Sequence, residues 1–162
     1  MRRVLIYVNS NWYRYLVGIK GAIAVFDDGG CRTVIDMPVK QKASGKGNQV
    51  DPAVLHAVLS NLGTIRACFI ELVGASPQMG VTGAFSFGRS AGIVEGIVGS
   101  LGIPTKMVAP QTWKARAGLI GKKKDEARLL AIDLCPEVEH LLTLKKHVDR
   151  ADAILICMYG ES

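Results

Sequence analysis

The patterns that announce a membrane protein, a disulfide framework or a zinc site are missing from this sequence. Its four cysteines (Cys31, Cys68, Cys135, Cys157) stand far apart with no C-x-x-C pair. That spacing excludes a disulfide scaffold or a zinc ribbon and reads as core thiols in a reducing cytosol. The most apolar uncharged run, Leu72 to Gly88, is broken by Gly, Ser, Pro and Gln, and the next, Ser90 to Thr105, carries Glu95, so neither reads as a membrane span. The opening MRRVLIYV is basic and then apolar. Its apolar stretch is too short for a signal peptide and no small-residue cleavage site follows, so it reads as a first β-strand. A Ser/His/Asp triad, a P-loop and a G-x-G-x-x-G loop are all absent.

What remains is the composition of one α/β domain, taken as 1–162. The chain is 49% hydrophobic and 21% charged, enough apolar surface to offset the entropy of ordering it. Lys plus Arg number 20 against 14 Asp plus Glu, a net charge of +6 that favours a polyanionic partner. Three strand-like runs come first (Val4 to Val8, Ala22 to Phe26, Arg32 to Met37), with Asp27-Asp28-Gly29-Gly30 as the turn between the last two. Lys40 to Asn48 reads as a basic loop. Asp51 and Pro52 open a helix that runs to Gly63. Ala67 to Val73 reads as a buried strand, Ala75 to Phe87 as an irregular loop, and Ser90 to Leu101 as a helix. A strand at Lys106 to Val108, a short helix opened by Pro110 and helices at Lys122 to Leu134 and Val148 to Tyr159 complete the chain. This order predicts a mixed sheet, antiparallel in its first three strands and parallel where strand-helix-strand crossovers follow, with helices on both faces.

Glu71 is a lone carboxylate in an apolar strand, where an unpaired charge is costly unless a metal ion or a hydrogen-bond donor compensates it. Pairing with a lysine, or capping an amide at the strand end, is the structural alternative. Asp149 and Asp152 stand at i and i+3, about 5–6 Å apart between Cβ atoms on one helix face, so a cation would relieve their repulsion. Their alternative is a capping box in which both answer the helix dipole. His147 beside them can position a water or meet a phosphate. Carboxylates without a His/Cys cluster suit Mg²⁺ or Mn²⁺, the ions used for in-line attack of water on a phosphodiester. Basic stretches at Lys40/Lys42/Lys46, Lys114/Arg116/Lys122/Lys123/Lys124 and Lys145/Lys146/Arg150 offer phosphate contacts, and Arg89 enters a helix N-terminus.

The ordered segments GAIAVFD (21–27), DMP (36–38), IELVGASPQMGVTGAFSFGRSAG (70–92), LGIPTKMVAPQTWK (101–114), GKKKDEAR (121–128) and HVDRADAILICMYG (147–160) resemble the RuvC-type Holliday-junction resolvases, in their phage and chloroplast branch. The resemblance covers nearly everything after Gly18. It implies a ribonuclease H-like sheet of five strands, with its first, fourth and fifth strands parallel. It also implies a homodimer with two active sites, and Mg²⁺-dependent paired nicking of four-way DNA junctions with two ions per site. By position it makes Glu71, Asp149 and Asp152 the metal-binding and catalytic acids. The F-S-F-G stretch becomes junction-facing, with Phe85, Phe87 and Arg89 as DNA contacts, although packing serves the phenylalanines equally. The Gly-rich helix with Gly92, Gly96 and Gly99 becomes dimer-facing. A cytoplasmic phage or prophage protein of a bacterial host is the setting it implies.

One departure stands out. The family has an aspartate in a first-strand stretch like I-D-P-G-x-x-G, and this chain has none. Asn9, which follows the apolar strand VLIYV, is the preferred match. An ungapped count from Gly21 gives Leu16 instead. An Asn carbonyl supplies no negative charge, so a resolvase homologue that binds branched DNA without cutting is the competing expectation, and an RNA-processing relative is a further one. Asp36 ends the third strand two strand spacings from the first, about 10 Å, too far to substitute.

Overall fold

A computed structural model describes residues 2–8, 21–45, 47–72, 74 and 78–160. Asn9, Leu16 and Lys46 lie outside the described residues. The strands β1 (Arg2–Val8), β2 (Gly21–Asp27) and β3 (Gly30–Asp36) are followed by a small hairpin of β4 (Val39–Gln41) and β5 (Asn48–Val50). Next come α1 (Pro52–Asn61), β6 (Ile65–Glu71), α2 (Val81–Ser100), β7 (Thr105–Val108), α3 (Pro110–Arg116) and α4 (Lys124–Leu134). Two 3-10 turns, Pro136–Leu141 and Lys145–His147, lead into α5 (Val148–Tyr159). The main sheet has the order β3-β2-β1-β6-β7. Its β1/β2 and β2/β3 pairs are antiparallel, and its β1/β6 and β6/β7 pairs are parallel.

Strand periodicity splits the core into two layers. In β2, Ala22 and Ala24 join one buried cluster with Phe69, Val108, Trp113, Ala127, Ala131 and the α5 residues Ile154 to Cys157. Their neighbours Ile23 and Val25 join another, with Leu55 and Leu59 of α1, Cys68 and Ile70 of β6, and Phe87, Val94 and Val98 of α2. A strand buried on both faces must be apolar throughout, which is why β2 shows no alternation in its burial.

Local chemistry fixes the connections. The Asp27 carboxylate accepts from the Gly29 amide at 2.8 Å, and Gly30 takes a φ of 113°, open to glycine at little cost. Asp51 caps α1 through hydrogen bonds from the amides of Ala53 and Val54, with Pro52 in the first turn as expected.

Two expectations are corrected. Residues 81–87 are not loop: α2 begins at Val81, and Phe87 is buried within it. The Thr and Gly content of that stretch lowers helix propensity, and burial of Phe87 against the sheet overrides it. Lys40 to Asn48 is not wholly loop either, because its two ends pair as β4 and β5. Lys42 of the hairpin donates to the Ser86 hydroxyl on α2 at 2.9 Å.

Candidate active site

The site is built on one row of the sheet. Asp36 pairs with Ala22, Ala22 with Tyr7, and Glu71 with Val108. Because Ile6 pairs with Ile70 in the parallel register, the next step places Tyr7 level with Glu71. Alternation directs Ala22, Glu71 and Val108 to the face that α5 covers. Glu71 is also the last residue of a parallel strand, the end at which α/β sheets gather their chemistry.

Glu71 is 1% exposed. Its Oε1 accepts a hydrogen bond from the Trp113 indole Nε1–H at 3.0 Å, whereas its buried Oε2 has no hydrogen-bond partner among the described residues. Burial pushes its carboxyl up to about 7; the Trp113 hydrogen bond opposes the rise, the Asp152 charge adds to it, and the Lys114 charge opposes it. Asp152, on α5, is itself buried, so two carboxylates that feel each other's charge are both withdrawn from solvent on this side of the sheet. Asp149 sits half-buried in the first turn of α5, where no side chain caps the helix, so the capping-box reading of this pair does not hold. Among the described residues no three His, Cys, Asp or Glu side chains form a group able to hold a metal ion. Glu71 feels the charge of Asp152, and Asp149 stands three residues before Asp152 on the same helix. The pair fits a hard divalent cation in donor chemistry, and the unpartnered Oε2 is the position such an ion would satisfy.

Around the pair, charges are already committed. Arg150 grips Asp36 through two hydrogen bonds of 2.7 Å each and donates to the Leu141 carbonyl at 2.9 Å. That guanidinium holds the Asp36 carboxyl below its usual range. Asp36 is thus an ion-pair partner, which agrees with its exclusion as a substitute ligand. The same ion pair commits the Arg150 guanidinium, which the sequence offered for phosphate contact, to a carboxylate. The His147 ring accepts from the Leu144 amide at 3.2 Å, and partial burial with the Arg150 and Lys146 charges keeps it below its usual pKa.

The remaining candidates are spread more widely. Lys114 lies over the Trp113 ring at 5.2 Å from its centroid, next to Glu71. Lys145 and Lys146 are exposed on the turn that leads into α5. Lys122, Lys123 and Lys124 are exposed at the start of α4, with Lys122 also 3.8 Å from Glu126. Phe85 is 70% exposed and Arg89 is exposed, but both ride on α2, which packs against the opposite face of the sheet from Asp152. Phe87 is buried in the apolar core, which favours the packing alternative over contact with DNA. Gly92, Gly96 and Gly99 lie exposed along α2, and a Cβ on any of them would meet nothing within 4 Å. Trp113 is the site residue that sequence reasoning missed. Its only signal is a large aromatic in a short, polar helix.

No protein-family model matches the chain, and no curated protein matches it. Among solved structures it is similar to Thermus thermophilus RuvC in complex with Holliday junction substrate, with a TM-score of 0.63 at 14% identity over 98% of this chain and 94% of that one. A second structure of Thermus thermophilus RuvC aligns with a TM-score of 0.50 at 13% identity, over 99% and 97% of the two chains. No described helix is long and apolar enough to cross a membrane. The chain has a RuvC-like α/β fold.

Proposed function

We propose that this protein is a RuvC-type nuclease of the phage and chloroplast branch, a single ribonuclease H-like domain over 1–162 that binds four-way DNA junctions and nicks them in pairs. The observation that carries this reading is the buried Glu71/Asp152 pair with an unpartnered Oε2, on a fold shared with a protein solved on a Holliday junction substrate. Glu71, Asp149 and Asp152 would hold Mg²⁺ or Mn²⁺, two ions per site, with Asn9 adding an amide oxygen. Bound there, the ions supply the positive charge that eases attack of water on a phosphodiester. The chain's own residues do the rest. Burial keeps the Glu71 pocket dry, and Lys114 brings a cation to its edge. Lys145, Lys146 and Lys122 to Lys124 contact phosphates from the helix starts, and Phe85 and Arg89 meet the junction from α2. The glycine face of α2 is the surface for a second copy of the chain, as the resemblance implies. The setting is the cytoplasm of a bacterial host carrying a phage or prophage.

A second reading has its own observation. β1 (Arg2–Val8) carries no Asp or Glu, and the register sets Tyr7 level with Glu71 where a strand acid would complete the site. In that reading the protein recognises branched DNA and cuts nothing. A labelled mobile four-way junction incubated with protein in Mg²⁺ or Mn²⁺ decides between them. Paired nicks that disappear in Glu71→Gln support the nuclease; a shifted, uncut junction supports the binding protein. Absence of any shift defeats both.

A further inference from the structure

Glu71 is held in an asymmetric way. One carboxylate oxygen has a single donor, the Trp113 indole at 3.0 Å, and the other has none although it is buried. Trp113 is fully buried on α3, packed within the cluster that joins α5 to the sheet, so the indole has no freedom to leave the carboxylate. An indole is a donor only, with one N–H and no acceptor. It can orient a carboxylate without competing for a cation, and its flat apolar body excludes water from the same pocket.

We propose that Trp113 is a positioning residue that fixes the Glu71 carboxylate by one oxygen and thereby presents the other to a divalent cation. The inference rests on the reading of Glu71 as a metal ligand. A lysine or arginine in this place would neutralise the carboxylate and reduce its pull on an ion. A serine or water would leave its torsion free. The neutral indole donor avoids both, and outer donors of this kind typically govern metal affinity by about 10- to 100-fold. The nearby Lys114, over the ring of the same indole at 5.2 Å from its centroid, adds a positive charge that acts on Glu71 without taking the Oε1 position.

The test uses the full chain and Mn²⁺ alone, with bound ion counted by electron paramagnetic resonance. Trp113 is replaced by benzothienylalanine, which keeps the shape of the indole and lacks the N–H; Trp113→Phe is a second variant. The expected result is Mn²⁺ affinity weakened about tenfold in the benzothienyl protein, with the urea midpoint close to wild type. In the Glu71→Gln background the same replacement should have no further effect, because the two groups act as one unit. Unchanged Mn²⁺ affinity in the benzothienyl protein, with binding lost in Glu71→Gln, overturns the positioning role and leaves the metal reading standing. Equal Mn²⁺ binding by wild type and Glu71→Gln overturns the metal reading, and the positioning role falls with it.

Discussion

The two faces of the sheet are built from the same strands and serve opposite ends. On the side of α1 and α2, the buried residues among those described are apolar apart from Ser90, whose hydroxyl donates to the Ser86 carbonyl of its own helix at 2.8 Å. On the side of α3, α4 and α5, an equally apolar core encloses Glu71 and Asp152. The first face is a stabilising layer; the second gives up stability to keep carboxylates dry. Substitutions should separate the two.

The largest effect belongs to the apolar face. Phe87→Ala should lose about 3–5 kcal/mol of stability through the cavity it leaves, read as a fall in the urea midpoint, with any loss of junction binding explained by unfolding. Next is Glu71. A carboxyl raised from 4.5 to about 7 stabilises the fold when protonated, so its contribution is present below pH 4.5 and lost as pH rises through 7. In chelator-treated protein, Glu71→Gln should therefore match wild type near pH 4.5 and exceed it by about 3 kcal/mol at pH 8. A difference independent of pH would erase the contrast between the faces.

Smaller effects sharpen it. Arg150→Ala removes the grip on Asp36 and should cost about 1 kcal/mol, partly abolished by Asp36→Asn in a double-mutant cycle. On α2, Gly96→Ala has open space for its methyl group and should raise the stability of an isolated chain by about 1 kcal/mol. Destabilisation that depends on protein concentration would instead mark that face as an interface between copies. Phe85→Ala, mostly exposed, should change the free energy of unfolding by less than about 0.5 kcal/mol. Its effect on junction affinity then reports contact with DNA and nothing else.

Sequence reasoning reached much of this architecture because the decisive signals are local. Apolar runs marked β2 and β6, Asp51-Pro52 marked the start of α1, and spacing marked α5 residue for residue. It failed where long-range packing decides. Glycine and threonine hid the first turns of α2, and the hairpin of β4 and β5 is too short and polar to show a period. The 3-10 turns at 136–141 and 145–147 have no apolar repeat to read. Glu71 was legible as an acid in the wrong company. Trp113 as its partner was not, since the two are 42 residues apart and only the folded sheet brings α3 over the end of β6.

The grip of Arg150 on Asp36 spans 114 residues of chain. The acid site as a whole is non-local, since α5 lies over strands far earlier in the chain and Trp113 meets Glu71 across 42 residues. Such contacts cannot form until the intervening chain has collapsed, so refolding should be slow for a chain of this size and α5 should be among the last elements to dock. A partly folded chain consequently holds its acids apart. The capacity to gather them, and whatever chemistry they support, arrives only with the completed molecule.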